Sequence, residues 1–329
     1  MKQKIKVVHF GIAHDHSTAT LMCARSFPDV FDVAAICEPD ADTRRQFEHE
    51  DAYKGIPWIT EEELFARGDI DAVFCEGYEL RSVSDAQKCI DRGLHVHLDK
   101  PGGTDLATFE HLLKSADEKG LTLQMGYMYR YNPAFKYTLD AVKSGKLGRI
   151  TGIDASFSRQ DTPEKRKWLG RFPGGMMFYL GCHILDMILL INGMPERVIP
   201  FNRSSDWNND GSMDSSFAVL DYPHGACSVR INGNEVNGMA SRRLRVVGTL
   251  GTVEILPLEY PTVMTEALLK DAENANSADV ARRIFPGYIS GRYDEMMLDF
   301  AACVRGEKTN PYTSGYELAL QRVLLEACR

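Results

Sequence analysis

Short β-branched runs alternate with amphipathic helical stretches through the first third of this 329-residue chain, and that alternation leaves few folds open. "IKVVHF" leads to a helix predicted over 17–26, "FDVAAICE" to one over 41–50, "DAVFCE" to 82–92 and "HVHLDK" to 104–119, with "LTLQMGY" closing the series. Strands separated by a helix each time run parallel, because every crossover carries the chain back to the same end of the sheet. The pattern predicts an α/β doubly wound sheet. From about residue 150 the texture changes. "ITGIDASFSR", "RVIPFNRS", "SFAVLDYP", "ACSVRING", "RRLRVVG" and "TVEILPL" read as strands broken by turns such as Pro223-His224-Gly225, with few helices between them. An open, mostly antiparallel sheet in an α+β domain fits this. Helical pattern returns in "YDEMMLDFAACVRG" and "SGYELALQRVLLEAC", and "NRSSDWNNDGSMDSS" (202–216) reads as a long surface loop.

A doubly wound sheet binds ligands at the carboxyl ends of its strands, so the loop after the first strand carries the most information. Here it reads "GIAHDHS", residues 11–17. A dinucleotide loop is expected as Gly-x-Gly-x-x-Gly, but Ala13 and His16 hold the second and third glycine positions. Gly11 still permits the tight turn, and the backbone N–H groups of Ala13 and His14 can face a pyrophosphate at a helix N-terminus. Ala13 costs clearance. Glu38, closing the second strand in "AAICEPD", suits the ribose hydroxyls and repels a 2′-phosphate, which favours NAD over NADP; Arg44 and Arg45 on the following helix weaken that preference. For His14 and His16 two readings stand: first-turn polar residues serving as partial caps, or an imidazole lining the cofactor cleft. Paired histidines after a first strand also open the metal sites of amidohydrolase-type barrels. That alternative needs further ligands after later strands, and the remaining histidines supply none, so no metal is expected.

Charge and cysteine usage remove other classes. A net charge of −8 leaves no basic footprint for nucleic acid. No run of about 18 apolar residues predicts a membrane span, and "MKQKIKVVHF" enters a strand without an apolar signal segment. Eight cysteines scattered without a C-x-x-C pair read as reduced core thiols, which points to the cytoplasm.

Further along, "GLHVHLDKPGG" (93–103), "LQMGYMYRYNPAF" (123–135), "GKLGRITG" (145–152), "GGMMFYLGCHILD" (174–186) and "YDEMMLDFAACVRG" follow in an order and spacing that resemble the Gfo/Idh/MocA oxidoreductases from end to end. The resemblance implies a Rossmann domain, taken here as 1–125, and a substrate-binding and oligomerisation domain over 126–329. It further implies a homodimer or homotetramer, NAD(P) as cofactor, and a sugar or cyclitol as substrate.

The family's acid-Lys-Pro motif falls on Asp99-Lys100-Pro101, with Asp in place of the usual Glu. Lys100 would then contact substrate hydroxyl and cofactor, and an ammonium there stabilises a developing alkoxide. By the same resemblance Gly11, Ile12, Ala13, His14, Glu38, Glu76, Asp99 and Lys100 are the cofactor-binding candidates, with Glu76 standing where the family often has a small Thr or Ser. The family's active-site helix carries Asp four residues before its His; here those positions hold Tyr179 and His183. On a helix Tyr179, His183 and Asp186 would share one face, so His183 can move a proton with Asp186 as its orienting partner. Tyr179 could hydrogen-bond the reacting oxygen. Trp168 and Arg171 belong either to a surface loop or to the substrate approach, and Arg130 and Asn132, beside Tyr129, either to a hinge or to substrate contact. The catalytic set is thus Lys100, His183 and Tyr179, and the substrate set Arg130, Asn132, Trp168, Arg171, Tyr179 and His183. The expected activity is NAD(P)-dependent dehydrogenation of a secondary hydroxyl on a sugar, glycoside or cyclitol. The alternatives are an NAD-dependent glycosidase or lyase working through transient oxidation, and a non-catalytic nucleotide-binding protein.

Overall fold

A computed structural model describes residues 3–207, 209, 211–259, 261–277, 280–287 and 291–329. Two residues of the expected 202–216 loop, Asn208 and Asp210, lie outside the described set. The chain divides into two units, one of Met1–Met128 with Ser290–Leu318, the other of Tyr129–Ile289 with Ala319–Arg329.

In the first unit β1 (Ile5–Phe10), α1 (Ser17–Ser26), β2 (Phe31–Cys37), α2 (Ala41–Phe47), α3 (Glu61–Ala66), β3 (Ala72–Cys75), α4 (Glu79–Asp91), β4 (His95–Leu98), α5 (Leu106–Glu118) and β5 (Leu123–Met125) follow in turn. Among the described residues they build a parallel sheet in the order β2-β1-β3-β4-β5, so the winding reverses between β1 and β3. Val7, Val8, Phe10, Ala72, Val73 and Phe74 are buried on both faces of this sheet, the signature of strands covered by helices on either side. Helix starts follow local chemistry. The Asp40 carboxylate accepts from Thr43 N–H, Asp105 from Thr108 N–H, and Thr60 with Glu63 forms a reciprocal capping box. That box begins α3, a helix the periodicity did not reveal, and the Asp105 cap starts α5 two residues later than expected.

The second unit runs α6 (Pro133–Lys143), β6 (Ile150–Ser156), α7 (Pro163–Leu169), α8 (Cys182–Asn192), β7 (Arg197–Arg203), β8 (Ser215–Tyr222), β9 (Gly225–Asn232), β10 (Arg243–Gly248), β11 (Gly251–Ile255), β12 (Met264–Leu268) and β13 (Arg282–Ile284). The last two strands carry no clear strand pattern in the sequence. Among the described residues the sheet order is β13-β12-β11-β10-β6-β9-β8-β7, antiparallel throughout except for β6 beside β9. Strict alternation of burial along β8 and β9 shows one face packed and the other open. α8, apolar around most of its circumference, packs on β6 and β9. α9 (Asp294–Val304) returns to the first unit, and α10 (Ser314–Ala327) ends the chain.

Candidate functional site

Four loops leave the carboxyl ends of β1, β2, β3 and β4, and the residues singled out in the first unit lie on them. Gly11 has a φ of +82°, and a Cβ there would stand 2.5 Å from the Cα of Gly77. The loops after β1 and β3 therefore touch backbone to backbone where the winding reverses, and only glycine permits it. Ile12 N–H donates to Glu38 Oε2 at 2.8 Å, Asp40 N–H donates to Oε1 at 2.8 Å, and Arg81 Nη2 approaches Oε1 at 3.3 Å. Burial pushes the Glu38 carboxyl above its ordinary range, opposed by those two N–H groups and the guanidinium. His14 N–H goes to the Glu76 carbonyl at 3.0 Å, not to the pyrophosphate face expected of it. A left-handed glycine where a side chain would close the floor, and a buried acid ending β2, fit a dinucleotide at this edge; Glu38 also braces the loop through Ile12.

Beside that floor lies a cluster that the sequence order hides. His14 Nδ1 and His16 Nδ1 each stand 2.9 Å from Asp99 Oδ2. His14 Nε2 faces Glu79 Oε1 at 3.4 Å, and Glu76 Oε2 lies 3.9 Å from His14 Nδ1. Burial pushes His16 down to about 3, and burial together with the Asp99 charge raises the Glu76 carboxyl well above the usual range. Among the described residues, His14, His16 and Asp99 form a set of possible metal ligands with donor atoms within 4.8 Å of one another. The expectation of no metal rested on the lack of a downstream partner for the histidines; Asp99, after β4, stands in that place. Glu79 and Arg81 went unnoticed in the sequence, although both fall in the first turn of a helix that follows a parallel strand, a position worth inspecting. Lys100 is buried, and its N–H donates to Asp99 Oδ1 at 2.6 Å.

In the second unit Met177–Gly181 forms a π-helical turn running into α8. The wider turn shifts the register assumed for Tyr179, His183 and Asp186. Tyr179 is buried against Trp168 and Phe172, with Lys165 Nζ 5.0 Å and Arg159 Cζ 5.6 Å from its ring centre. His183 is buried against Tyr129 and Phe157, at centroid separations of 5.1 and 5.7 Å. Both Asp186 oxygens accept from Arg130, through Nε at 2.9 Å and Nη2 at 2.8 Å, so the carboxylate expected to orient His183 also holds a buried guanidinium. Asn132 caps α6: its Oδ1 accepts from Ala134 and Phe135 N–H, and its Nδ2 donates to the Leu258 carbonyl. Trp168 is half-buried under Lys165, and Arg171 is exposed.

Residues 5–127 match the profile of the oxidoreductase family with an NAD-binding Rossmann fold, and residues 135–254 match the GFO/IDH/MocA C-terminal domain. The chain is 25% identical to trans-1,2-dihydrobenzene-1,2-diol dehydrogenase of Bos taurus, over 76% of its own length and 73% of that protein's. It is 29% identical to the NADP-dependent scyllo-inositol 2-dehydrogenase IolW of Bacillus subtilis, a match spanning 41% of this chain and 38% of the relative. The fold superposes on aldose-aldose oxidoreductase from Caulobacter crescentus with a TM-score of 0.83 at 18% identity, covering 99% and 98% of the two chains.

Proposed function

The chain belongs to the GFO/IDH/MocA oxidoreductases, an NAD(P)-binding family, and on that premise we propose that it is a dehydrogenase of a secondary hydroxyl on a sugar, glycoside or cyclitol. The observation that carries this reading is the buried Lys100 next to Asp99 at the carboxyl end of β4, in a sheet whose glycine floor suits a dinucleotide. The bound nicotinamide would take hydride from the carbinol carbon or return it. Gly11, Ile12, Ala13 and Glu38 would hold that cofactor, together with His14, Glu76, Asp99 and Lys100. Lys100 would bind the reacting oxygen and stabilise its negative charge, and His183 would carry the hydroxyl proton, with Tyr179 as a further hydrogen-bond donor. NAD is favoured over NADP by the Glu38 carboxylate; the half-exposed Arg81 beside it offsets part of that preference. A homodimer or homotetramer in the cytoplasm completes the proposal, in keeping with eight free, buried cysteines. No helix of the described residues is long and apolar enough to cross a membrane.

The test is a panel of inositols, hexoses, uronates and glycosides with each cofactor, read by absorbance of the reduced nicotinamide. On the best substrate Lys100→Ala is expected to lower kcat by roughly 10²–10⁴-fold, and NAD to bind about tenfold more tightly than NADP. Full turnover by Lys100→Ala would remove the lysine from its role, and stronger NADP binding would remove Glu38 from its own. Aglycone release with no net reduced cofactor would favour cleavage through transient oxidation, and failure to bind either cofactor would favour a non-catalytic protein.

A further inference from the structure

We propose that His14, His16 and Asp99 bind a divalent first-row transition ion of the zinc class, which ties the loop after β1 to the end of β4. The donor atoms already have the spacing of a ligand set. Zinc bonds of about 2.0–2.1 Å place neighbouring ligand atoms roughly 3 Å apart, and each imidazole Nδ1 here stands 2.9 Å from Asp99 Oδ2. Two imidazoles and one carboxylate select a borderline transition ion over magnesium or calcium, which prefer oxygen alone.

His14 Nε2, the ring nitrogen turned away from Asp99, lies 3.4 Å from Glu79 Oε1, beside a carboxylate that can orient a metal-bound imidazole. A second observation points into the same site. Glu76 is wholly buried, neither of its carboxylate oxygens meets a hydrogen-bond partner among the described residues, and Oε2 lies 3.9 Å from His14 Nδ1, within reach as a fourth ligand after a small rotation. The His16 ring retains 14% of its exposure and gives an ion a way in.

Protein stripped with a chelator and dialysed is titrated with zinc chloride in a calorimeter and, separately, with cobalt(II) while the visible spectrum is recorded. One equivalent of each is expected to bind, cobalt producing the absorption bands of a low-symmetry nitrogen and oxygen site. Asp99→Asn and His16→Gln are expected to weaken zinc binding at least 100-fold, Glu79→Gln by about 10-fold, and the exposed His111→Ala not at all. Circular dichroism reports whether each variant folds. Absence of saturable one-to-one binding in the wild-type protein overturns the proposal whatever the variants do, as does binding that survives Asp99→Asn and His16→Gln together. NAD titrated into the same stripped sample separates the two readings: cofactor binding without metal binding would sink this proposal alone.

Discussion

His9, the fifth of the six residues of β1, is an imidazole enclosed by protein on every side. It is fully buried, its Nε2 shares a hydrogen bond with Ser17 Oγ at 2.7 Å, and burial pushes its pKa down to about 3, with nearby His97 adding to the shift. An unfolded histidine titrates near 6.5, so between roughly pH 6.5 and pH 3 the unfolded chain takes up a proton that the folded chain refuses. The stability contributed by keeping His9 neutral is therefore complete above about pH 6.5 and drains away as pH falls through that window. In urea titrations at a series of pH values, His9→Gln should lose less stability than the wild-type protein between pH 6.5 and pH 4.5, by about 1–2 kcal/mol. Parallel pH profiles for the two proteins would exclude the assignment. The same scale explains why Glu38 and Lys100 could be singled out as candidates in the sequence: each stands within two residues of the end of a recognisable strand, and strand ends are where such a sheet presents its chemistry. The His14, His16 and Asp99 cluster could not be found that way, because its members are brought together by β1 and β4 flanking β3 across a separation of 83 residues.

Elements of the second unit are locked together by buried polar contacts, and the pair between Arg130 and Asp186 joins the segment before α6 to α8. Both side chains are 1% exposed, so removing one partner strands the other charge out of water. Arg130→Ala should cost about 3–5 kcal/mol of unfolding free energy, whereas Arg130→Met combined with Asp186→Leu should recover most of that loss. Chemical denaturation of the three proteins checks this; a double variant as unstable as the single one would show that the pair holds the fold by its shape rather than by charge balance. Elements with a regular hydrophobic period, β1 to β11 and α1, were legible in the chain. The π-helical turn at Met177–Gly181 was not, since one extra residue in a turn leaves an apolar stretch looking helical while it moves Tyr179 out of the assumed register. α3 is only six residues long, too short to show a helical period, although its capping box stood in the sequence. β12 is five residues long and buries a glutamate, Glu266, which breaks its apolar alternation, and β13 is three largely exposed residues at the sheet's edge.

At the level of the whole molecule, the first unit is built from two separate stretches of chain. Phe300 of α9 sets its ring edge-on to Phe74 and His97, at 6.1 and 5.8 Å, and Gln124 Nε2 donates to the Met296 carbonyl. A fragment of residues 1–128 should accordingly melt without a cooperative transition, while the same fragment fused through a flexible linker to 291–318 should regain one by circular dichroism. A cooperative transition in the shorter fragment would show that α9 is dispensable. The discontinuity also sets a timetable for synthesis. The residues of β1 to β5 leave the ribosome some 160 residues ahead of the segment that covers Phe74, a delay of roughly 10–30 s at ordinary translation rates. During that interval the nascent parallel sheet presents an apolar flank with no cover from its own chain, so this protein finishes folding its first-made unit only when nearly the last of it has been translated.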